Sequence, residues 1–153
     1  MNRVNKIKIS IGADERLHVV DVALNYLKEK GYEVVWHGPA KNETHPWPDV
    51  AKRVALDVQS AEADEGILFC WTGTGVSIAA NKFKGIRAAL CDDAETARGA
   101  RLWNDANVLC LSMRRTSEVI LKEILDMWFS TSYEPNKTDD SCLRMVDEMD
   151  NPS

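Results

Sequence analysis

Gly66-Ile67-Leu68-Phe69-Cys70 runs directly into Trp71-Thr72-Gly73-Thr74-Gly75-Val76-Ser77. A short apolar run closed by a Gly-rich turn and followed by helix-compatible residues reads as strand, tight turn and helix. The same alternation extends to both sides. Upstream, residues 7–12 read as a strand, and Leu17, Val20, Leu24 and Leu27 keep helical spacing up to a stop at Gly31. Residues 32–36 form a second strand and 37–48 a loop broken by Pro39, Pro46 and Pro48. A helix over 49–60 then carries Val50, Val54 and Val58 on one face. Downstream, residues 76–81 are helical, 86–91 and 108–111 are strands, and 94–103 and 117–129 are helices. Strand and helix alternating about five times predict an α/β protein, a Rossmann-like three-layer α/β/α sandwich around a parallel sheet of about five strands.

One domain over residues 1–132 accounts for this pattern. Residues 133–153 are polar and read as an extended arm that orders only against a partner subunit. With 19 Lys+Arg against 24 Asp+Glu, the net charge of −5 argues against nucleic-acid binding, which needs a basic face. No apolar run approaches the ~20 residues that span a bilayer. Residues 1–12 lack the long apolar stretch and cleavage site of a signal peptide. The four cysteines, Cys70, Cys91, Cys110 and Cys142, form no CxxC pair, which points to reduced thiols and a cytoplasmic location.

Parallel α/β sheets bind ligands at the carboxyl ends of their strands. The residues there are 12–16, 37–48, 70–77, 91–93 and 112–115. Cys70 stands at a strand end beside a turn whose glycines let backbone approach a ligand, and whose N–H groups favour a thiolate. Thr72 adds a hydroxyl able to donate and accept a proton. Base, relay hydroxyl and N–H cradle suit proton abstraction beside a carbonyl; equally, Cys70 is a buried strand cysteine and the turn a passive anion site. Asp14 either caps the first helix or reaches a sugar hydroxyl, and Arg16 either pairs locally or meets an anion. Asn104 and Trp103 end a solvated helix, or else contact a sugar. His18 reads as a surface residue, and His45-Pro46-Trp47-Pro48 as a pocket wall. No His/Cys/Asp/Glu spacing supports a metal site.

Four runs carry a family resemblance: Gly66 to Cys70, Gly75-Val76-Ser77-Ile78-Ala79-Ala80-Asn81-Lys82, Gly85-Ile86-Arg87-Ala88-Ala89-Leu90-Cys91 and Asn104-Asp105-Ala106-Asn107-Val108-Leu109. They resemble the ribose-5-phosphate isomerase B family, which includes the galactose-6-phosphate isomerase subunits. The resemblance implies aldose–ketose isomerisation of a sugar or sugar phosphate through a cis-enediol, with no cofactor, in a homodimer that sometimes pairs into a tetramer. By position, Cys70 matches the family's base, Thr72 its proton relay, Gly73 and Gly75 its enediolate loop, and Asp14 its aspartate. Thr74 and Ser77, in the same loop region, are expected to contact the substrate. Asn104 matches an asparagine offered by the neighbouring subunit. Glu15, Trp47, Trp71 and Trp103 replace a family His, Tyr, Gly and His. The C-terminal Gly-Gly-Arg-His run is absent, and Arg144 is the one match to its second arginine. These departures imply isomerase chemistry on a different phosphosugar or on an unphosphorylated sugar, a tetrose phosphate being one candidate. Two alternatives stay open: a catalytically silent sugar-binding protein, and a nucleotide-binding domain, which the missing turn Lys disfavours.

Overall fold

The computed structural model describes residues 6–152. Residues 1–5, part of the stretch read as lacking a signal peptide, and Ser153 lie outside them. Five parallel strands, β1 (Lys8–Ala13), β2 (Glu33–His37), β3 (Glu65–Cys70), β4 (Ala88–Leu90) and β5 (Val108–Ser112), form one sheet in the order β2-β1-β3-β5-β4. Among the described residues there are also six helices: α1 (His18–Glu29), α2 (Trp47–Gln59), α3 (Thr74–Ala80), α4 (Ala94–Asn104), α5 (Glu118–Ser130) and α6 (Lys137–Met149). The expected three-layer sandwich is present.

Strand burial follows position in the sheet. β1, β3 and β5 are central, and past the first residue of β1 and of β3 they are buried throughout, whereas the edge strands β2 and β4 are not. Both faces of the central strands therefore feed a core. One core joins Ile9, Ile11, Ile67, Phe69, Leu109 and Leu111 to α1, α4 and α5. The other joins Leu68, Cys70, Val108 and Cys110 to α2 and α3. Trp128 of α5 is fully buried, its indole N–H donating to Glu65 at 2.9 Å, while Arg101 pairs with Glu65 at 2.7 Å and stacks on the Trp128 ring. The polar atoms of that buried cluster are thus paired, as burial requires.

Element ends differ from the sequence reading where caps decide them. α2 begins at Trp47, two residues early, because Pro48 fits the first helical turn. β4 shrinks to three residues, since the Asn81 side chain takes over both backbone groups of Ala88 (2.8 and 3.0 Å) and Gly85 turns the chain at φ 77°. The largest difference is the tail, where residues 137–149 are a helix rather than an extended arm. The Asn136 side chain accepts the Asp139 N–H, and Asp139 and Asp140 sit in the first turn, where the helix dipole favours negative charge. Beyond its end Asp150 accepts the Gly85 N–H at 2.7 Å and Asn151 accepts from Lys84. No residue of α6 is buried. Among the described residues no helix is long and apolar enough to cross a membrane.

Candidate active site

β3 ends at Cys70, and the turn that follows is built around one backbone feature. Gly73 has φ 77°, the left-handed conformation that favours glycine, and a Cβ there would lie 2.5 Å from Leu90 Cδ1 and 2.9 Å from the Leu111 carbonyl carbon. This reversal folds the Gly73 N–H back onto the Cys70 sulfur at 3.2 Å. It also brings the hydroxyls of Thr72 and Thr74 to 2.7 Å from each other. The turn is pinned from β5: the Ser112 hydroxyl donates to the Trp71 carbonyl at 2.9 Å, and the Met113 and Arg114 amides donate to the Cys70 and Trp71 carbonyls.

Asp14, at the end of β1, faces the same space. A cleft of about 340 Å³ is lined by Asp14, Trp47, Cys70, Trp71, Thr72, Thr74 and Gly75. Three segments distant in the chain thus converge at the carboxyl edge of the sheet. The Trp47 ring packs over Gly75, where a Cβ would approach it to 3.1 Å, so the pocket wall expected from the Pro-rich loop is present. That loop is tied down by the His45 N–H donating to the Asp14 carbonyl and by a bridge between Glu15 and Thr44. One Asp14 carboxylate oxygen is buried with no hydrogen-bond partner among the described residues. Burial pushes the Asp14 carboxyl up, against the lowering effect of backbone hydrogen bonds, and the neighbouring Glu15 charge raises it further.

Other expected site residues lie elsewhere. Arg16 is committed to Asp21 at 2.8 Å and stacks over Trp36, and Lys41 shares the same aspartate. Ser77, in the middle of α3, does not line the cleft. Trp103 and Asn104 close α4, about 16 Å of helix from its start after the carboxyl end of β4. There they line a separate apolar groove of about 310 Å³ with Ile86, Ala89, Leu143 and Val146. Arg144 is exposed on α6. The asparagine read as near the sheet mouth is therefore at the other end of the sheet, because a crossover helix returns the chain to where the next strand begins. His18 is on the surface, as expected, and pairs with Glu118. His37 is held by Asp57, which also accepts from Ser10.

Residue-by-residue reading missed Arg114. It stands at the carboxyl edge, exposed, with no ion-pair partner among the described residues. Its signal was position alone, inside the 112–115 segment that topology assigns to the mouth. No group of three or more His, Cys, Asp or Glu side chains among the described residues could hold a metal ion.

A family model described as Ribose/Galactose Isomerase matches residues 9–146. Galactose-6-phosphate isomerase subunit LacB of Clostridium acetobutylicum is 37% identical over 142 residues, covering 92% of this chain and 82% of that protein. D-erythrulose-4-phosphate isomerase of Pectobacterium atrosepticum is 36% identical over 130 residues, 84% of this chain and 86% of its own. The structure of Clostridium thermocellum ribose-5-phosphate isomerase B superposes with a TM-score of 0.89 at 38% identity, covering 94% of this chain and 97% of that one.

Proposed function

This chain belongs to the ribose/galactose isomerase family and is an aldose–ketose isomerase, and we propose that it moves the carbonyl of a short sugar phosphate through a cis-enediol with Cys70 as base. The observation that carries this reading is the Cys70 sulfur, held by the Gly73 N–H at 3.2 Å in one cleft with Thr72 and Asp14. Cys70 takes the proton from the carbon beside the carbonyl. That C–H electron pair becomes the C=C bond, and the carbonyl pair moves onto oxygen, which takes a proton. The neighbouring hydroxyl gives up its proton and becomes the new carbonyl, while the other carbon recovers a proton from Cys70. Thr72 is the hydroxyl that serves both oxygens, the Gly73–Gly75 backbone supports the enediolate, and Asp14 receives a sugar hydroxyl on its unpartnered oxygen. Two protons change place and no electron leaves, so the chemistry calls for no cofactor.

The cleft favours a substrate other than ribose 5-phosphate. Glu15 brings a second carboxylate beside Asp14, and Arg16 is spent on Asp21. A phosphate at that end would meet negative charge. Arg114 is the cation at this edge left for an anionic group, and Trp47 and Trp71 offer faces for a sugar to lie against. We prefer a tetrose phosphate with its anionic group toward Arg114, and the four-carbon sugar in the name of the Pectobacterium relative supports it. The active unit is a homodimer, with pairing of dimers as a further arrangement. Leu90, Trp103, Met145, Val146 and Met149 leave apolar surface along β4, α4 and α6, and a second copy packed there would carry Asn104, Trp103 and Arg144 to the cleft. Three buried thiols and one exposed, none in a disulfide, suit a reducing cytoplasm.

Proton exchange in heavy water, followed by NMR over C4 to C6 aldoses and ketoses offered free and phosphorylated, tests this reading with Cys70→Ala as control. Exchange beside the carbonyl in the parent, strongest with a four-carbon phosphate and absent in the control, is expected. Binding with neither exchange nor isomerisation would leave a silent sugar-binding protein.

A further inference from the structure

Thr72 and Thr74 are two residues apart, a spacing that in extended backbone puts two side chains on one side but too far apart for a hydrogen bond. Here the left-handed Gly73 between them closes the gap to 2.7 Å. Both hydroxyls are exposed in the cleft that holds Cys70 and Asp14, and among the described residues each has only the other as a protein partner. Thr74 is the first residue of α3, so helix geometry fixes its backbone, and its branched Cβ restricts χ1.

We propose that Thr74 is the positioning residue of the proton relay, acting on the sugar through the Thr72 hydroxyl. This rests on the enediol reading above and goes beyond it. A lone hydroxyl rotates and spreads its proton over several directions. Bonded to Thr74, the Thr72 hydroxyl has two defined states. When Thr74 donates, the Thr72 proton is free to point at a substrate oxygen, and a hydroxyl that accepts a bond is a stronger donor. When Thr72 donates, its lone pairs are free to accept. A relay between two oxygens needs both states. Thr72 Oγ1 gives its proton to the former carbonyl oxygen and takes one from the neighbouring hydroxyl. Thr74 keeps its own proton over the turnover.

The test compares Thr74→Val, which keeps the shape and removes the hydroxyl, with Thr74→Ser, which restores it. Three quantities are read: kcat, KM and the ratio of deuterium exchange beside the carbonyl to isomerisation, with the melting temperature as a check on folding. Thr74→Val should lower kcat by about fivefold, the worth of one neutral hydrogen bond, with KM within about twofold. Because Cys70 still removes the carbon-bound proton, exchange per isomerisation should rise by a similar factor, and Thr74→Ser should return both to the parent. An unchanged exchange ratio in a folded Thr74→Val would overturn the proposal, as would a kcat loss that Ser does not rescue. Isomerisation that survives Cys70→Ala would instead remove the Cys70 enediol step, and the role of Thr74 with it.

Discussion

The two ends of the sheet carry two halves of one expected site, and they are built differently. At the carboxyl edge, Cys70, Thr72, Thr74, Asp14 and Trp47 converge within one chain, their backbones tied together by Ser112, Arg114 and His45. At the amino edge, Asn104 and Trp103 line an apolar groove beneath a helix with no buried residue. The carboxyl-edge groups are held by backbone hydrogen bonds within one chain. The amino-edge groups sit beside exposed apolar side chains of α4 and α6. If the proposed dimer forms, the fold supplies rigidity at one end and assembly supplies it at the other.

The contrast is sharpest at Cys70. Cys70→Ser should lower isomerase activity by about 100-fold to 10,000-fold with the melting temperature nearly unchanged, as removal of a general base does. Steady-state kinetics and thermal unfolding on the same preparation check it, and near-parent turnover would end the assignment. Asn104→Ala should also inactivate, but through the neighbouring chain. Mixing and re-associating equal amounts of Cys70→Ser and Asn104→Ala chains should regain about one quarter of parent activity, since half the dimers then hold one intact site of two. No recovery would place Asn104 outside a shared site.

Gly73→Ala should cost about 1–3 kcal/mol in urea unfolding, because alanine strains the left-handed conformation and its Cβ meets the Leu111 backbone. Activity should fall with it, since the turn holds both Cys70 and Thr72. A smaller effect is expected of Gly75→Ala, whose Cβ only pushes the Trp47 ring: KM should rise a few-fold with little change in stability. Equal damage from both substitutions would show that the aromatic wall governs the cleft as much as the turn does.

Smallest is a pH effect at Asp14. Its folded-state value lies above the ordinary 3.8, so the native chain holds this proton longer than the unfolded chain does. The associated stability is complete below about pH 3.8 and is lost as pH rises through the folded value. Asp14→Asn should therefore melt slightly above the parent near pH 7, with the gap closing in acid. A gap that widens in acid would mean that the carboxylate is stabilised in the folded state.

The alternation of apolar runs and amphipathic stretches was enough to read the three-layer fold, because burial on two sheet faces and on one helix face imprints local periods on the chain. The placement of Cys70 and Thr72 at a strand-end turn was legible for a related reason: strand, turn and helix are neighbours in sequence, so that part of the candidate site is local. Asp14 and Trp47 were legible as loop residues at strand ends. What tertiary structure decided was partnership. Arg16 had an anion, an aspartate and an aromatic ring to choose from, and folding spends it on Asp21 and Trp36. Asn104 looked close to the mouth, yet a crossover helix carries it to the far edge. The polar tail became a helix once Asn136 capped it and Asp150 found the Gly85 amide. Pairing energies between residues far apart in the chain leave no period to read, and the meeting of the Thr72 and Thr74 hydroxyls depends on a single left-handed glycine.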